Sequence, residues 1–502
     1  MRRPMGTRWQ GLLSAFLAAL FLSACAGNPR LADAQPPEET RVVFAVGYDA
    51  ISEKYIKPKT ARALAIEGLE GLSDADPTLA VEEHGGLLWL VQNGRLLRVG
   101  VTPRPKNLDA WAELSADFLA ISLANRSPEA KADAAAFTTA MFNRVLGSLD
   151  SHSRYANGQT TTRHREKRRG YSGVGLHIQQ LEKSFIVTKV MPKSPAEKAG
   201  IQVSDKILKI GGTPAAMIKL EDFPNRLRGT VHSRLSLVLK RRNVAKPIKV
   251  ILNRQQIFAT TVHYERRKTI AYFRLSSFNR NTARSLARHL AWIETELDAP
   301  FQGIVLDLRD NPGGLMNQAI TVADLFLRSG RIVSTRGRHP NSSQTYNAGA
   351  SDIGTALPIV ILLNGKSASS AEIVAAALHD QGRALVVGSR SYGKGSVQTI
   401  LPLPNGAEIT LTWSRLYTPN GKSLAAGVEP DICTVGLSKA GTNPQAILTS
   451  LANTRKAGLC PALKAKNDLD FPLAEKLLKT PGLYASLFRK PPEEIAHKET
   501  SD

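Results

Sequence analysis

The segment that most restricts the fold lies between residues 358 and 379. It begins with the apolar run Pro358–Leu363, which is typical of a strand buried on both faces of a parallel sheet. A turn of small and polar residues, Asn364–Ser370, follows, and then an alanine-rich helical segment, Ala371–His379. A strand, a tight turn and a helix in this order predict an α/β core. They also place a side chain at a helix N-terminus, beside backbone N–H groups that have no partner within the helix.

Other stretches after residue 269 extend this α/β pattern. Ile270–Phe278 is predicted to be a strand, and Gly303–Arg309 is predicted to be a buried strand that runs into the turn Asp310–Gly314. A helix is expected over Ala319–Leu327.

Ser369 stands at the start of the predicted helix, where a lone serine is most often only a helix cap. Lys394 lies 25 residues farther along, between two glycines that let the backbone turn tightly. A serine hydroxyl needs a base to become a nucleophile, and a lysine amine can serve when burial favours its neutral form. No histidine follows in a comparable position. The pattern therefore indicates Ser-Lys hydrolytic chemistry.

The region before the core is mostly helical. Alanine- and leucine-rich segments at 61–72, 108–125 and 129–149 predict helices, and a hairpin with an Asn93-Gly94 turn interrupts them. No set of polar residues converges in this region. We therefore expect it to be a scaffold or a dimerisation domain.

A charged stretch, 163–169, is expected to be a linker, and the residues after it combine short strands, one short helix and glycine turns. They predict a small β-rich domain. Residues 163–268 carry 24 Lys and Arg against 7 Asp and Glu, which is most of the net charge of +23. Few aromatic residues and no groove-reading motif accompany this charge, which argues against nucleic acid. An anionic surface or an acidic partner is expected instead.

The N-terminus has the features of an export signal. Three arginines precede the apolar run Gly11–Leu22, which is too short to span a bilayer. The run ends in Leu-Ser-Ala-Cys, which resembles the lipobox of bacterial lipoproteins and implies cleavage before Cys25 and acylation of that residue. Ordinary cleavage after Ala24 is the alternative. Residues 26–39 are polar and proline-rich, as expected for a tether.

Two cysteines remain after Cys25, namely Cys433 and Cys460. In the oxidising compartment that an exported protein enters, they can form a disulfide that closes a loop of 28 residues. Two separate buried thiols are the alternative. No Cys/His cluster has the spacing of metal ligands, and neither a metal nor a cofactor is expected.

Several ordered blocks together resemble the carboxy-terminal processing proteases, or tail-specific proteases, of the S41 serine peptidases. The blocks are Leu149–Tyr155, Asp307–Gly314, Asn364–Glu372, Gly393–Gly395 with Gln398, and Gly427–Asp431. The resemblance covers about 43–433. It implies a multidomain α+β fold with a helical N-terminal region, a small β-rich PDZ domain and an α/β core of the ClpP/crotonase type. It also implies that Ser369 is the nucleophile, that Lys394 is the general base, and that Gln398 orients the lysine amine.

The chain departs from the family pattern at small residues. The usual run is Ser-Ala-Ser-Ala-Ser-Glu, whereas residues 367–372 read Ser-Ala-Ser-Ser-Ala-Glu. Ser370 is therefore an alternative nucleophile. Spacings of 25 residues to Lys394 and 11 to Asp380, an acidic position of the family, favour Ser369. Ser151 replaces the usual proline of this family, and Ser204 stands where PDZ domains often have glycine. Both changes are expected to affect only turns.

Attack on an amide creates an oxyanion that needs N–H donors. The amide of Ser370 is one expected donor, and the amide of Gly313 or Gly314 is the other, because only glycine lets the backbone approach the scissile carbonyl closely. The sequence leaves these two glycines open. The remaining charged residues of the blocks are expected to form structural ion pairs or to orient other groups, and His152 is also expected to be structural. The charged residues are Asp307, Arg309, Glu372 and Asp380.

The β-rich module resembles a PDZ domain over about 171–254. In that family a glycine-rich loop presents backbone N–H groups to the C-terminal carboxylate of a peptide, and the peptide adds as a strand. The resemblance implies that the loop consists of Ser172, Gly173, Val174, Gly175 and Leu176. A β domain that only spaces its neighbours is the alternative.

These inferences divide the chain into six segments. They are a signal peptide (1–24), an anchor and tether (25–42), a helical N-terminal domain (43–162), a PDZ domain (163–260), a protease core (261–435) and a C-terminal helical extension (436–502). The expected function is that of a serine endopeptidase that cleaves proteins near their C-termini after PDZ capture. It is expected on the periplasmic side of the envelope as a membrane-anchored lipoprotein.

Further expected partners are an adaptor protein and a second copy of the chain, joined through the N-terminal region. Two other functions compete with the protease. A non-catalytic PDZ scaffold would not need the Ser-Lys-Gln set, which is intact. An acyl-CoA enzyme of the crotonase type would be cytosolic, against which the export signal argues.

Overall fold

The structure is a computed structural model of the chain. It describes residues 38–130, 132–182, 184–295, 300–349, 357–437, 460–463 and 469–487, together with 443, 445, 447–449, 466 and 467. The predicted signal peptide, Cys25 and most of the tether lie outside the described residues. The chain divides into two compact units, Met1–Thr161 with Gln398–Trp413, and Thr162–Val397 with Ser414–Asp502. None of the helices in the described ranges has the length and apolar character of a membrane span.

Within the described residues, the first unit contains four α-helices, a three-stranded sheet, a short additional strand and the strand residues of Gln398–Trp413. The helices are α1 Glu38–Lys54, α2 Ala61–Ala75, α3 Leu108–Ala124 and α4 Ala134–Gly147, and the strands are β1 Leu79–His84, β2 Leu87–Gln92, β3 Arg95–Val101 and β4 Arg154–Ala156. Strand β4 pairs with residues 408–410. Buried aromatic side chains, among them Tyr48, Trp111 and Phe142, fill the core between the helices.

The predicted helices and the hairpin of this unit are confirmed. Asn93 and Gly94 have φ values of 48° and 78°, as a type I′ turn requires. The sequence analysis did not predict β1, whose burial does not follow a clean alternation. It also placed the end of the tether at residue 42, whereas α1 already begins at Glu38.

The predicted linker at 163–169 is wrong, because these residues belong to helix α5, Gly158–Arg169. The side chain of Asn157 accepts the amide of Thr160 at 3.0 Å and so caps the helix start. Arginine, lysine and glutamate all have good helix propensity. A run of charges therefore formed a solvated helix rather than an extended connection.

The β-rich module follows α5. Its elements are β5 Tyr171–Gly173, β6 Leu176–Leu181, β7 Ser184–Val190, α6 Pro195–Lys198, β8 Lys206–Ile210, β9 Thr213–Pro214, α7 Phe223–Leu227, β10 Arg234–Lys240, β11 Ile248–Asn253 and β12 Gln255–Ile257. The main sheet has the order β11-β10-β8-β7-β6, so β6 is an edge strand. Phe185 and Phe223 stack at 3.8 Å between ring centroids and close the core. Ser204 keeps the left-handed backbone that glycine would adopt there, with φ of 75°.

The α/β core contains the remaining elements, except that the strand residues within Gln398–Trp413 belong to the first unit. They are β13 Val262–Arg267, β14 Ile270–Leu275, α8 Thr282–Thr295, β15 Gly303–Asp307, α9 Met316–Asp324, β16 Arg331–Gly337, β17 Gln344–Asn347, β18 Ile359–Leu363, α10 Ser370–Asp380, β19 Ala384–Gly388, β20 Ser396–Pro402, β21 Glu408–Tyr417, β22 Ile432–Cys433, α11 Asp470–Leu478 and α12 Pro481–Leu487. The main sheet has the order β13-β14-β15-β18-β19-β22 and is parallel from β14 to β22.

Both faces of this sheet are covered. Every residue of β15, β18 and β19 is buried, and alternate residues face opposite sides. Ile359 and Ile361 join the apolar cluster that includes α9 and α10, whereas Val360 and Leu362 join the cluster that includes α11. The predicted C-terminal extension is therefore part of the core, because without α11 one face of the sheet would be exposed.

Candidate active site

Ser369 is the residue immediately before α10 and has φ of 56° and ψ of −115°. A serine that only caps a helix has an extended backbone, so the cap interpretation does not account for this conformation. A non-glycine residue with positive φ costs free energy and persists where its surroundings hold it. The side chain is half-buried. Ser369 thus has the strained, accessible position of a functional residue.

Lys394 lies on a loop that packs tightly against Ala425. A Cβ atom on Gly393 would come within 2.6 Å of the Ala425 carbonyl oxygen, and one on Gly395 within 2.3 Å of the Ala425 amide nitrogen. Only glycines fit at these two positions, as the sequence pattern indicated. Lys394 itself is half-buried.

The carboxylate of Glu372 joins the two residues. Its Oε2 atom accepts the Ser369 amide at 2.7 Å and the Lys394 amide at 2.9 Å. The two amide nitrogens are therefore less than 6 Å apart. The Oε1 atom accepts the amide of Gly393 at 2.7 Å and the hydroxyl of Ser391. Glu372 is fully buried, and burial raises its pKa although the four donors oppose the shift.

The two candidate oxyanion glycines differ in their contacts. A Cβ atom on Gly313 would come within 2.8 Å of Ser369 Cβ and 3.0 Å of the Ser370 amide nitrogen, so the loop passes directly beside the nucleophile. The Gly313 amide already donates to Asn311 Oδ1 at 2.8 Å. The Gly313 carbonyl accepts the Phe278 amide at 3.0 Å. Because C=O and N–H point in opposite directions in a trans peptide, the Gly314 N–H points away from Phe278.

Ser370 connects the nucleophile helix to this loop. Its side chain is buried, and its hydroxyl donates to the Gly314 carbonyl at 3.1 Å. This chain has serine where the family usually has alanine, and the serine hydroxyl adds a hydrogen bond that holds the glycine loop. The hydroxyl is occupied there, which argues against Ser370 as the nucleophile.

Gln398 belongs to the first unit. Its side-chain amide donates to Thr412 Oγ1 at 3.4 Å, and the Thr412 hydroxyl donates to Asp150 at 3.1 Å. Asp150 also accepts the amides of His152 and Ser153 at 2.7 and 2.9 Å, and these bonds outweigh burial and lower its pKa. The sequence analysis singled out Gln398 but missed Asp150 and Thr412, although Asp150 lies within a quoted block. The orienting role of Gln398 toward Lys394 stays a prediction.

Asp307 and Arg309 form the expected buried ion pair. The Arg309 guanidinium donates to Asp307 at 2.6 and 2.9 Å and to Asp470 at 3.0 Å. Tyr272 donates its hydroxyl to Asp307 at 2.5 Å. Burial would raise the pKa of Asp307, but the bonds from Arg309 outweigh it and lower the pKa. The partner Asp470 was not predicted, since it lies 161 residues beyond Arg309 along the chain.

A segment before α11 also contacts the turns of the site. The Leu463 carbonyl accepts the Gly365 amide at 2.6 Å, and Lys466 lies 3.3 Å from the Asp310 carboxylate. Cys460 is disulfide-bonded to Cys433 at the end of β22, as the sequence analysis expected over separate thiols. Leu463 thus supports the nucleophile turn, and Lys466 supports the glycine turn.

Asp380 at the end of α10 binds His379 rather than the nucleophile. The His379 ring lies 3.2 Å from Asp380 and 3.1 Å from Asp431. Burial alone would lower the pKa of His379, but the two carboxylates outweigh it and raise the pKa to about 9. Asp380 is therefore a structural residue, as expected.

The predicted peptide loop of the β-rich module lies between β5 and β6. The Val174 carbonyl accepts the Ala196 amide at 3.0 Å, and the Gly175 carbonyl accepts the Met191 amide at 2.9 Å. Since both carbonyls point into the module, the next amides, those of Gly175 and Leu176, point away from it. A Cβ atom on Gly175 would come within 2.3 Å of Ser194 Cβ, so only glycine fits. Two adjacent outward amides beside an edge strand can bind a carboxylate.

Within the described residues, no group of three or more His, Cys, Asp or Glu side chains is arranged to hold a metal ion.

Comparisons with known proteins agree with this geometry. The model of peptidase family S41 matches residues 269–434, and the PDZ domain model matches 160–240. A carboxy-terminal-processing protease of Bartonella bacilliformis is 38% identical over 293 residues, which are 58% of this chain and 68% of that protein. A carboxyl-terminal-processing protease of Synechocystis is 31% identical over 390 residues, which are 74% of this chain and 86% of that protein. A probable CtpA-like serine protease of Staphylococcus haemolyticus is 33% identical, and the match spans 56% of each chain.

Proposed function

The chain belongs to peptidase family S41 as a carboxy-terminal processing protease, and on that premise we propose that Ser369 is its nucleophile and Lys394 its general base. The observation that carries the proposal is the shared acceptor, Glu372 Oε2, which binds the amides of both residues. It fixes their backbones side by side. A base held in place in this way can reach the hydroxyl without reorganising its loop in each turnover.

The proposed reaction proceeds in two stages. The neutral amine of Lys394 takes the hydroxyl proton of Ser369 as Oγ attacks the scissile carbonyl carbon. The C–N bond then breaks, the lysine ammonium returns the proton to the leaving amine, and an ester to Ser369 remains. A water molecule then gives a proton to Lys394 as its oxygen attacks the ester carbonyl carbon. The bond from that carbon to Ser369 Oγ breaks, the lysine ammonium returns the proton to Oγ, and the new C-terminus is released.

We propose that the amides of Ser370 and Gly314 stabilise the oxyanion. Both amides lie beside the nucleophile. The Ser370 amide is at the start of α10, where it has no partner within the helix, and the Gly314 N–H points opposite to the Gly313 carbonyl, which accepts the Phe278 amide. The bond of the Gly313 amide to Asn311 supports Gly314 as the donor over Gly313. Donors held in place before the reaction stabilise the developing charge without reorganisation.

Three substitutions test these roles. Ser369→Ala and Lys394→Ala each abolish cleavage of a chromogenic peptide while the far-ultraviolet circular dichroism spectrum is retained. Ser370→Ala is the matched control: it removes a hydroxyl at the next position but keeps the amide, and it retains at least a tenth of the activity. Loss of activity in Ser370→Ala with substantial cleavage by Ser369→Ala would reverse the assignment.

Substrate selection is proposed to begin at the β-rich module. The outward amides of Gly175 and Leu176 support capture of a peptide C-terminal carboxylate, and the edge position of β6 supports addition of that peptide as a strand. A protein substrate with a free C-terminus is therefore cleaved faster than the same substrate with an amidated C-terminus. If amidation has no effect at low or high salt, the module is not the substrate receptor.

Export, lipidation at Cys25 and a periplasmic, membrane-anchored location also remain proposals, supported by the N-terminal sequence alone. Replacement of Cys25 by serine is expected to move the protein from the membrane fraction to the soluble periplasmic fraction or to leave it unprocessed. A processed variant that stays with the membrane would show that the anchor lies elsewhere. An adaptor and a homo-oligomer formed through the first unit are proposed partners of the same enzyme.

A further inference from the structure

We propose that the exposed side of the PDZ sheet is a docking surface for an anionic lipid bilayer. The surface consists of Lys206 and Lys209 on β8, Lys240 on β10, Lys249 on β11, and the apolar side chains of Val238 and Ile251 between them. We call it the lysine face. It is separate from the peptide loop and from the catalytic residues.

The strand register brings these lysines together. Val238 lies opposite Lys209 on one side and Lys249 on the other, and Lys240 lies directly opposite Lys206. Neighbouring strands are about 4.8 Å apart, so the four lysine Cα atoms lie within an area about 10 Å across. All four lysines are exposed.

No acid among the described residues pairs with these lysines. In the part of the chain that the structure describes, none of the four lysines forms an ion pair. Asp205, the nearest acid in sequence to Lys206, is buried and bound to Arg241 at 2.8 Å. Like charges directly opposite in a sheet destabilise it, so the Lys206 and Lys240 pair is unfavourable for the isolated module. An anionic partner removes that repulsion.

The composition of the lysine face favours a bilayer over other anions. Nucleic acid binding draws on arginine forks and aromatic stacking. Strands β8, β10 and β11 contain no aromatic residue, and four of their five basic residues are lysines, with Arg234 as the exception. Protein interfaces are depleted in lysine and enriched in arginine. A headgroup layer needs no matched register, attracts compact ammonium charges, and accepts apolar side chains such as Ile251, which is 63% exposed.

Vesicle binding of the full chain tests the proposal. The wild type is compared with a lysine-face variant, in which Lys206, Lys209, Lys240 and Lys249 are changed to Gln, and with a matched control, in which the exposed residues Lys57, Arg95, Lys106 and Lys422 are changed to Gln. Partitioning is measured on phosphatidylcholine vesicles and on vesicles with equal parts phosphatidylglycerol. Binding through the N-terminus contributes to every arm, so the measured quantity is the ratio of anionic to neutral partitioning.

Each lysine near an anionic surface is worth about fivefold in partitioning, so the ratio should fall at least about tenfold in the lysine-face variant. It should change less than about threefold in the control, and the wild-type ratio should collapse when salt is raised from 0.1 to 0.5 M. Equal ratios for the two variants would overturn the proposal. It would also be overturned if the lysine-face variant kept its vesicle binding but lost affinity for an acidic protein substrate or for DNA. As a check that both variants are folded, they should cleave a short neutral peptide at the wild-type rate.

Discussion

Replacement of Glu372 by glutamine tests whether this carboxylate holds the nucleophile and the base in register. Each carboxylate oxygen accepts two hydrogen bonds, one pair from Ser391 and Gly393 and the other from Ser369 and Lys394. A glutamine amide offers one acceptor oxygen and one NH₂ donor. Whichever way the amide is turned, its NH₂ group faces at least one backbone N–H.

The two orientations of the glutamine amide differ in the free energy that they cost. With the amide oxygen toward Ser369 and Lys394, only the Gly393 bond is lost, since the Ser391 hydroxyl can rotate and accept instead. A hydrogen bond to a charged group is worth about 1.5–3 kcal/mol, so this orientation costs about 2–3 kcal/mol. The opposite orientation loses two bonds and costs about 3–6 kcal/mol. Burial raises the pKa of Glu372 and so penalises its ionised form, and a neutral amide recovers part of that penalty.

We therefore expect activity to suffer more than stability. A displacement of about 1 Å between reacting groups can cost about 100-fold in rate, and kcat of the Glu372→Gln variant is expected to fall by at least that factor with little change in KM. The free energy of unfolding, measured with urea, should fall by no more than about 3 kcal/mol. Glu429→Gln is the control, because Glu429 is a half-buried carboxylate that also accepts a backbone amide, that of Cys460 at 3.0 Å. A Glu372→Gln enzyme that keeps a third of the wild-type kcat would refute the reasoning.

Three further predictions concern the support of the site. Because the pKa of His379 is raised to about 9, its imidazolium stabilises the fold fully below pH 6.5, and about 3 kcal/mol is lost as pH rises through 9. Urea unfolding at pH 6 and pH 10 should show this loss in the wild type and not in His379→Gln. Asp470→Asn leaves Arg309 with Asp307 alone and should lower the free energy of unfolding by about 3 kcal/mol; an unchanged urea midpoint would contradict it. Cys433→Ser should cost about 3–4 kcal/mol by opening the loop to Cys460, and a reductant should lower the melting temperature of the wild type but not of the variant.

The sequence predicted the parts of the fold that depend on local pattern. Strands such as Ile359–Leu363 are apolar throughout because both faces of the sheet are covered, and that pattern does not depend on which element covers each face. The Asn93-Gly94 turn was predictable because few other residue pairs adopt two consecutive positive φ values. The alternation that marks a half-buried strand is weak in β1, and β1 was missed.

The charged run 163–169 shows the limit of composition. A run of like charges indicates a solvated segment, but it does not distinguish a linker from a helix. Two contacts stabilise the helical conformation: the cap from Asn157 and the ion pair between Glu166 and Arg228 at 2.8 Å. The second contact joins residues 62 positions apart, which no local pattern contains.

The residues of the candidate site also divide into those that a local pattern predicts and those that depend on distant contacts. Ser369, Lys394 and the glycines were found because each sits in a short motif whose residue types the chemistry requires. The central acceptor, Glu372, was identified only as an ion pair or an orienting group, because three of its four donors come from a loop about 20 residues away. Gly313 and Gly314 could not be separated, since the choice depends on where each peptide group points, and contacts with Asn311 and Phe278 determine that direction.

The limits of the family match do not coincide with the limits of the site. The S41 model ends at residue 434, yet Asp470 binds the arginine beside the glycine turn, and the Leu463 carbonyl binds the amide of Gly365 in the nucleophile turn. Both turns therefore rest on residues beyond the matched region. Those residues are held to the last matched strand by the Cys433–Cys460 disulfide. Since a displacement of about 1 Å is enough to impair catalysis, a truncation after residue 434 should impair catalysis even though it leaves every catalytic side chain in the chain.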